Sequence, residues 1–427
     1  MTKESGFVNG ARLGYTGRGI IAASLALIGA SCASIPPPNA FCESDAYLID
    51  KQFEGGNFHS CTVAGATRAE ILIRPEDEPP INRSPWYAFR VSAKTDQATT
   101  VRLDFDHGYA RYWPKLSRDG KSWSPAPADA VRRLDDDEAM EITLPPTEGP
   151  TWVSAQELLT NPYYDDWVDE LRENDSVKLR LLSRSVMGRP VFVAETAAKP
   201  EVVYLIGRQH PPEVSGALAM RSFVNTVLGD GELARRFRER YTLVVIPLIN
   251  PDGIALGHWR HNVNGIDLNR DWGPSSQPET QGAAQLVDEY DAAGARPALM
   301  LDFHSTRDSL FYTQLAEESS WSIDFATEWF ARFRERRPDF QFKHDPRPRS
   351  GQPNTKNFFF DRYRIPAFTY EIADEEDRAA IEDTTPVFAE EMMKLLLEFP
   401  EADQVINRDN PAAAEGREPP LPLPARR

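Results

Sequence analysis

Residues 201–213 read EVVYLIGRQHPPE, a continuous apolar run followed by a histidine and a glutamate three residues apart. An apolar run of this length predicts a strand buried on both faces, as in the parallel sheets of α/β proteins. His210 and Glu213 follow its carboxyl end, the edge at which open α/β sheets place functional residues. A turn or a first helical turn would direct both side chains towards one point, so the stretch predicts a metal site as well as a fold.

Similar apolar runs occur on both sides of this stretch. The strand-like runs VFVAET, YTLVVIPLIN and ALMLDFH alternate with helix-like stretches, which begin with AQELLTNPYYDDWVDELREN and end with PVFAEEMMKLLLEFP. That alternation predicts an α/β domain over residues 149–400, with helices on both faces of its sheet. His304 ends one of the runs, so the sheet is expected to bring it to His210 and Glu213. Catalytic zinc takes three such ligands and keeps one position open for water.

A different pattern precedes this domain. Short β-favouring runs (AEILIRP, SPWYAFRVSA, TTVRLDFD, GYARYWPKLS and AMEITLP) recur between turn signals, with Asp119-Gly120 as a predicted hairpin turn. They predict an antiparallel β-sandwich over residues 41–148. Its aromatic side chains are expected in the core and at sheet edges rather than on a binding face. They are Trp86, Tyr87, Phe89, Tyr112, Trp113 and Trp123.

The ends of the chain predict export. Arg12 and Arg18 precede an apolar run over residues 20–30 that is too short to span a membrane, which predicts an export signal over residues 1–34. Either simple cleavage or a lipid-modified Cys32 that tethers the protein to a membrane fits this segment, and Gly29, where a lipobox has leucine, favours simple cleavage. The prolines of residues 35–40 predict a linker, and residues 401–427 predict a disordered tail. The protein is therefore expected to be periplasmic, secreted or lipid-anchored.

The composition of the chain limits the classes of partner that the protein is expected to bind. The net charge of −17 excludes a nucleic-acid footprint, which needs clustered lysine and arginine, and favours small or peptide-like partners. Cys42 and Cys61 either form a disulfide in an oxidising compartment or remain two free thiols. The oligomeric state is not readable from the sequence.

Six motifs carry a family resemblance. HPPE, NPDG, GHWR, GIDLNRDW, DFHS and FTYE occur in this order, and together they resemble the zinc carboxypeptidase family of metallopeptidases over residues 151–400. GIDLNR is closer to the cytosolic carboxypeptidase branch, in which a β-sandwich also precedes the catalytic domain. The resemblance implies a mixed sheet flanked by helices. It also implies a metallocarboxypeptidase that binds one zinc ion and a peptide with a free C-terminal carboxylate.

The resemblance assigns the metal site and the base. It makes His210, Glu213 and His304 the zinc ligands. Asp267 matches the carboxylate that orients the first ligand histidine, as metal-bound imidazoles usually require. Glu371 matches the general base, which takes a proton from water and returns it to the leaving amine.

The resemblance also assigns the substrate contacts. Arg260 matches the arginine that stabilises the developing oxyanion, and Asn269 with Arg270 matches the pair that holds the terminal carboxylate. Lys356, or Asn357 beside it, lies where relatives place the residue lining the side-chain pocket. A lysine there would favour an acidic C-terminal residue.

Two departures and two alternatives accompany this assignment. Pro212 stands where many relatives have glycine, which stiffens the turn that carries the ligands. No tyrosine aligns with the mobile one that many relatives carry before the general base, since Tyr363 lies too near the strand. The alternatives are a zinc amidase acting on cell-wall peptides and a non-enzymatic binding module. Muropeptide assays separate the first from a carboxypeptidase, and loss of activity on chelation excludes the second.

Overall fold

The computed structural model describes residues 40–348 and 351–398, and its first part, up to Ser154, is built mainly of short strands. We call residues 40–154 the β region. Its strands are β1 (Phe41–Glu43), β2 (Tyr47–Asp50), β3 (Ser60–Gly65), β4 (Arg68–Ile73), β5 (Ala88–Ala93), β6 (Thr99–Phe105), β7 (Lys115–Ser117), β8 (Trp123–Pro125), β9 (Val131–Leu134), β10 (Ala139–Leu144) and β11 (Thr151–Ser154). One sheet has the order β1-β2-β5-β11-β7-β8 and the other β3-β4-β6-β10-β9. Their described pairs are antiparallel apart from β4 with β6, which is parallel.

The two sheets of the β region share one core, because side chains alternate between core and surface along each strand. In β6, for example, Val101 and Leu103 are fully buried while their neighbours are partly exposed. A disulfide between Cys42 and Cys61 joins β1 of one sheet to β3 of the other, with 5.5 Å between the Cα atoms. Of the two alternatives that the sequence leaves open for these cysteines, the structure shows the disulfide.

Four of the six aromatic residues lie in the core, as expected, whereas Trp113 and Trp123 are half-buried. Trp86, Tyr87, Phe89 and Tyr112 are each at most 3% exposed. The predicted hairpin at Asp119-Gly120 is also present, since β7 pairs antiparallel with β8 and Gly120 has a φ of 71°.

The β region differs from the prediction in two places. It extends past residue 148, because β11 pairs antiparallel with β5 and β7 and so completes the first sheet. The run GYARYWPKLS supplies only the short strand β7. Its first half is a loop that lies against the rest of the molecule, where Arg111 bonds to Asp374.

The second part of the chain, residues 155–398, forms a mixed sheet with helices and is called the α/β region. Its helices are α1 (Asn161–Glu173), α2 (Val214–Val227), α3 (Glu232–Arg240), α4 (Pro251–Leu256), α5 (Pro278–Ala292), α6 (Ser320–Arg336), α7 (Thr355–Tyr363) and α8 (Arg378–Glu398). Its strands are β12 (Lys178–Arg184), β13 (Pro190–Glu195), β14 (Glu201–Gly207), β15 (Tyr241–Ile246), β16 (Arg296–Thr306), β17 (Leu310–Thr313), β18 (Lys343–Pro346) and β19 (Ala367–Ala373). The strand order is β12-β13-β15-β14-β16-β19-β17-β18, and the central strands β15, β14, β16 and β19 are parallel.

The central strands read as continuous apolar runs because both faces of the sheet are covered. All of β14 is buried; Val203 and Leu205 pack into one core, whereas Val202, Tyr204 and Ile206 pack into another. The predicted α/β fold with helices on both faces is confirmed. The first helix begins later than the run AQELL suggested, since α1 starts at Asn161, with Thr160 as its N-cap and a proline in its first turn.

Some predictions lie outside the described residues. They are the export signal over residues 1–34 with Cys32, nearly all of the linker, and the tail over residues 401–427. Among the described residues, no helix combines the length and the apolar character needed to cross a membrane.

The β region and the α/β region belong to one compact unit and meet through polar groups. Glu76, from the loop after β4, accepts hydrogen bonds from the backbone N–H groups of Trp259, Arg260 and His261 at 2.6, 2.8 and 2.7 Å. Gly257 ends α4 with a φ of 66°, and a Cβ there would lie 2.7 Å from the carbonyl oxygen of Gly55. The loop that carries Arg260 is therefore held in place by the β region.

Candidate active site

Three residues with metal-binding atoms meet at the carboxyl ends of β14 and β16. His210 and Glu213 lie in the turn between β14 and α2, and His304 lies in β16, beside β14 in the sheet. One Glu213 oxygen lies 2.8 Å from Nδ1 of His210, and the other lies 2.6 Å from Nδ1 of His304. All three residues are buried, and their ligand atoms fall within 4.8 Å of one another. The structure thus brings together the three residues that the sequence predicts as ligands.

The turn that carries two of these residues is braced from within. Arg208 is buried with a φ of 51°, and its guanidinium donates two hydrogen bonds, of 3.0 and 2.7 Å, to the carbonyl of Pro211. The first turn of α2 then packs tightly on β16, where a Cβ on Gly216 would lie 2.4 Å from the carbonyl oxygen of His304. Only glycine lets the helix approach the ligand strand so closely.

Each histidine also contacts a second carboxylate. Nε2 of His210 lies 3.0 Å from Asp267, which was predicted in this role, and Asp267 also accepts a 2.7 Å hydrogen bond from Nε of Arg260. Nε2 of His304 lies 2.8 Å from Asp302. Both carboxylates favour a proton on Nε2 and so leave Nδ1 free to bind a metal ion.

Asp302 was not identified from the sequence, although the sequence contains a signal for it. It precedes His304 by two residues in DFHS, and residues two apart on a strand share a face of the sheet. Asp302 is fully buried and accepts a 2.7 Å hydrogen bond from Gln209, the residue before His210. The two ligand-bearing segments are therefore joined through their neighbours.

The charges of the site are complementary. Burial raises the pKa of Glu213, but His210 and His304 lower it by more, so the pKa lies below its ordinary value. Burial lowers the pKa of His304, but Asp302 and Glu213 raise it well above its ordinary range. Such a pocket stabilises positive charge at the three ligand residues. Two imidazoles and a carboxylate, with both imidazoles oriented by further carboxylates, match the ligand set of catalytic zinc.

Glu371 lies next to this group, since it is paired in register with His304 between β19 and β16. Burial is the main cause that raises its pKa to about 8; His304 lowers the pKa, and Glu213 raises it. Its Oε2 has no hydrogen-bond partner among the described residues. A buried carboxylate oxygen without a partner beside a metal-ligand group is suited to hold and accept a proton from a water molecule.

The residues predicted to contact substrate line the same cleft, whose volume is about 520 Å³. Arg260, Asn269 and Arg270 all face it. Asn269 is also held by the protein: its Oδ1 accepts 3.0 and 3.1 Å hydrogen bonds from the backbone N–H and the hydroxyl of Thr355. Thr355 begins α7, so the helix that carries Lys356 is tied to the predicted carboxylate clamp.

Lys356 lines the cleft as a buried cation. It is 6% exposed, and among the residues that the structure describes its Nζ donates to the carbonyls of Thr313 and Arg347 alone, at 3.3 and 3.4 Å. Burial lowers its pKa. Asn357, the alternative, also lines the cleft, but its side chain donates to the carbonyl of Gln352.

Sequence reasoning missed several other cleft residues. Tyr312, on β17 opposite Thr369, lines the cleft, whereas Tyr363 does not. Asn82, Ser84 and Arg111 line it from the β region, and their loops carry no motif that marks them.

A second group of possible metal ligands lies between the two regions. Glu76, Asp77 and His261 are close enough to bind one ion. The oxygens of Glu76 already accept three backbone N–H groups, and Asp77 lies 2.7 Å from Nδ1 of His261. These hydrogen bonds give the three side chains a structural role in the contact between the two regions.

Comparisons with known proteins agree with this division of the chain. A family model for zinc carboxypeptidases matches residues 164–333, and one for the N-terminal domain of cytosolic carboxypeptidases matches residues 49–155. The chain is 23% identical over 340 residues to the protein ZMO1242 of Zymomonas mobilis, which covers 76% of this chain and 87% of that protein. It is 39% identical over 105 residues to cytosolic carboxypeptidase 2 of Danio rerio, and this match covers 22% of this chain but only 14% of the relative.

Solved structures share the fold. A metallo-carboxypeptidase from Pseudomonas aeruginosa, in complex with (2-guanidinoethylmercapto)succinic acid, aligns with a TM-score of 0.69 at 21% identity, covering 82% of this chain and 99% of that one. A metallo-carboxypeptidase from Burkholderia cenocepacia aligns with a TM-score of 0.68 at 18% identity, covering 82% and 98%. The two family models match successive parts of the chain and together cover more than half of it. Residues 164–333 therefore match the zinc carboxypeptidase family of metallopeptidases, and the β region is similar to the N-terminal domain of cytosolic carboxypeptidases.

Proposed function

We propose that the protein is a zinc-dependent metallocarboxypeptidase that hydrolyses the C-terminal peptide bond of peptides. The observation that carries this proposal is the pairing of Glu371 with His304, which puts a carboxylate with one buried oxygen beside His210, Glu213 and His304 in one cleft. A family fold alone does not establish an activity, but this set of side chains has the chemistry that hydrolysis needs.

The roles of the chain's own residues follow from their contacts. His210, Glu213 and His304 would hold one zinc ion, and Asp267 and Asp302 would orient the two imidazoles. Zinc supplies Lewis acidity, which polarises the carbonyl and makes water more acidic. Glu371 takes a proton from the attacking water and gives it to the leaving amine. Positive charge held by the ligands lowers the pKa of Glu371 and so favours the carboxylate that acts as the base.

Arginine side chains supply the contacts to the substrate. Arg260 faces the cleft, and its Nε is fixed by Asp267, so the guanidinium is held ready for the oxyanion that develops at the scissile carbonyl. Arg270 and Asn269 bind the terminal carboxylate, which is suited to a planar guanidinium. Burial lowers the pKa of Arg270, and a carboxylate in the cleft would offset that cost.

The test of the activity uses purified protein and C-terminally free peptides. We expect one zinc ion per chain, loss of activity on chelation and recovery with zinc. Glu371→Gln should lower kcat by at least about a hundredfold, as removal of a general base does, and should keep the zinc. Glu376→Gln is the matched control, because Glu376 lies on the same segment and bonds to Ser309 outside the cleft. Full activity in Glu371→Gln, or no zinc in the wild type, contradicts the proposal.

We further propose that Lys356 favours an acidic C-terminal residue. Its ammonium is buried, and within the described part of the chain its hydrogen-bond partners are two carbonyls at long distance and no carboxylate. A substrate carboxylate would supply the missing charge. Lys356→Met should reduce the preference for peptides ending in glutamate over those ending in leucine, measured as a ratio of kcat/KM values. An unchanged ratio contradicts this assignment.

We also propose that the protein works outside the cytoplasm. The disulfide between Cys42 and Cys61 supports this location, because such bonds persist in oxidising compartments. Cell fractionation and the mass of the mature chain test it, since cleavage near residue 34 removes the predicted signal. Lipid on Cys32 would appear in the same mass measurement. Recovery of full-length protein in the cytoplasm alone contradicts the proposal.

A further inference from the structure

One wall of the cleft comes from the β region, and its central residue is Arg111. Arg111 lies in the loop before β7, with 9% of its side-chain surface exposed. Its Nε donates to Asp374 at 2.8 Å, and its Nη1 donates to the hydroxyl of Ser84 at 2.6 Å and, more weakly, to the carbonyl of Arg83 at 3.5 Å. No described residue accepts a hydrogen bond from Nη2, although Arg111 lines the cleft.

We propose that Arg111 forms a substrate subsite in which it binds the main-chain carbonyl of the third residue from the peptide's C-terminus. This inference rests on the proposed carboxypeptidase function and extends it, because it makes the β region part of the substrate site. The ligand class is a peptide acyl group with a neutral carbonyl oxygen.

The order of residues along β19 indicates where this subsite lies in the cleft. Thr369 is paired with Tyr312 of β17. The next residue of β17, Thr313, accepts a hydrogen bond from Lys356 at its carbonyl, so this end of β19 borders the side-chain pocket. Glu371 follows two residues later. Asp374 follows three residues after Glu371, about 10 Å farther along an extended chain, and bonds to Arg111.

A substrate must follow the same order. With its last side chain near Lys356 and its scissile bond near Glu371, the peptide has its upstream residues at the end of β19 where Asp374 and Arg111 lie. The carbonyl of the second residue from the end is the one under attack, which Arg260 serves. The next carbonyl upstream is therefore the acceptor available to Arg111.

The bonding of Arg111 favours a neutral acceptor. Asp374 offsets the charge of the guanidinium, so a second carboxylate at this position would be repelled by the first. Ser84 and Asp374 also fix the plane of the guanidinium, which limits the side-chain entropy lost when a ligand binds. A carbonyl oxygen that accepts a hydrogen bond from Nη2 would give this guanidinium nitrogen an acceptor.

The test compares two acyl substrates that differ in the acetamido group that carries this carbonyl. N-acetylphenylalanyl-glutamate carries it, and 3-phenylpropanoyl-glutamate lacks the acetamido group; a second pair ends in leucine. We expect the wild type to have a kcat/KM about tenfold higher for the acetylated member, as for a hydrogen bond to a charged group. Arg111→Met should bring the ratio close to one, and because each ratio is taken within one protein, a general loss of activity cancels.

Two further variants secure the interpretation. Arg307→Met removes a neighbouring exposed cation that stacks on Tyr109 outside the cleft, and its ratio should equal that of the wild type. Ser84→Ala frees the guanidinium without removing it and should give an intermediate ratio, which decides the matter if Arg111→Met does not fold. A wild-type ratio of one overturns the proposal, and so does an Arg111→Met variant that keeps the wild-type ratio. If Arg111→Met does not fold, a Ser84→Ala variant that keeps the wild-type ratio overturns it. Failure of the carboxypeptidase function looks different, since the zinc-loaded wild type would then cleave neither substrate.

Discussion

The α/β region and the β region place their functional side chains in different ways. In the α/β region, His304 and Glu371 extend from neighbouring central strands, and the register of the sheet sets their separation. In the β region, Glu76 and Arg111 extend from loops and are fixed by contacts with the other region. The first kind of placement depends on a local core, whereas the second depends on the contact between the two regions.

This difference separates the chemistry of the site from its shape. The predicted ligands and base all lie in the α/β region, so the β region supplies none of them. The β region instead holds the loop with Arg260 through its backbone and closes one wall of the cleft. Changes in the β region should therefore affect stability and substrate binding, while changes in the α/β site should affect metal binding and the chemical step.

Glu76→Ala should have the largest effect on stability, because one side chain accepts three backbone N–H groups across the contact. Hydrogen bonds to a charged group contribute about 1.5 kcal/mol or more each, so we expect a loss of about 4 kcal/mol in the free energy of unfolding. Urea unfolding measures it. Glu78→Ala, at an exposed position two residues away, is the control. Equal stability of the two variants would show that Glu76 does not hold the loop.

Removal of the disulfide comes next and acts within the β region alone. Cys42 and Cys61 are 19 residues apart, and a loop of about this size is worth about 3 kcal/mol through the unfolded chain. Replacing both by serine should lower stability by that amount and leave zinc content unchanged. Reducing agent should destabilise the wild type but have no further effect on the double variant. Loss of zinc in the double variant would contradict the separation of the two regions.

The residues predicted from the sequence were those in the α/β region with short motifs. His210 and Glu213 were recognisable because a turn fixes their spacing locally, and His304 because it ends an apolar strand. Asp302 was also within reach, since it shares the strand face of His304.

The contributions of the β region were not predictable in the same way. Glu76 binds backbone groups, which are the same for every residue type, so neither its partners nor its spacing leave a pattern. Arg111 meets Asp374 across 263 positions of sequence. Lys356 was identified by its distance from Glu371, but its burial depends on how α7 packs on β16 and β19, which brings its Nζ to the carbonyl of Thr313.

Asp302→Asn tests the α/β site without touching the contact between regions. The variant loses the carboxylate that faces Nε2 of His304, and loss of such a partner usually costs 10–100-fold in metal affinity, or about 2 kcal/mol. Competition with a chelator of known zinc affinity measures the change. Asp324→Asn, at an exposed position in α6, is the control. Equal zinc affinity in the two variants would mean that Asp302 does not support the ligand histidine.

The smallest effect is expected at Glu157, where the segment leaving the β region meets α8. Arg378 donates two 2.8 Å hydrogen bonds to its carboxylate. Burial raises the pKa of Glu157, but the hydrogen bonds and charge of Arg378 help to lower it by more, so the folded pKa lies below the ordinary value of 4.5. The stability gained is therefore fully present above pH 4.5 and is lost as the pH falls through the folded pKa.

Glu157→Gln should therefore cost about 1 kcal/mol of unfolding free energy at pH 7, with a difference from the wild type that shrinks below pH 4.5. Unfolding in urea at several pH values measures it, with the exposed Glu382→Gln as the control. A cost that persists unchanged in acid would assign the effect of Glu157 to packing rather than charge. A cost that follows the predicted pH dependence would show that the ion pair between the start of the α/β region and α8 weakens in acid.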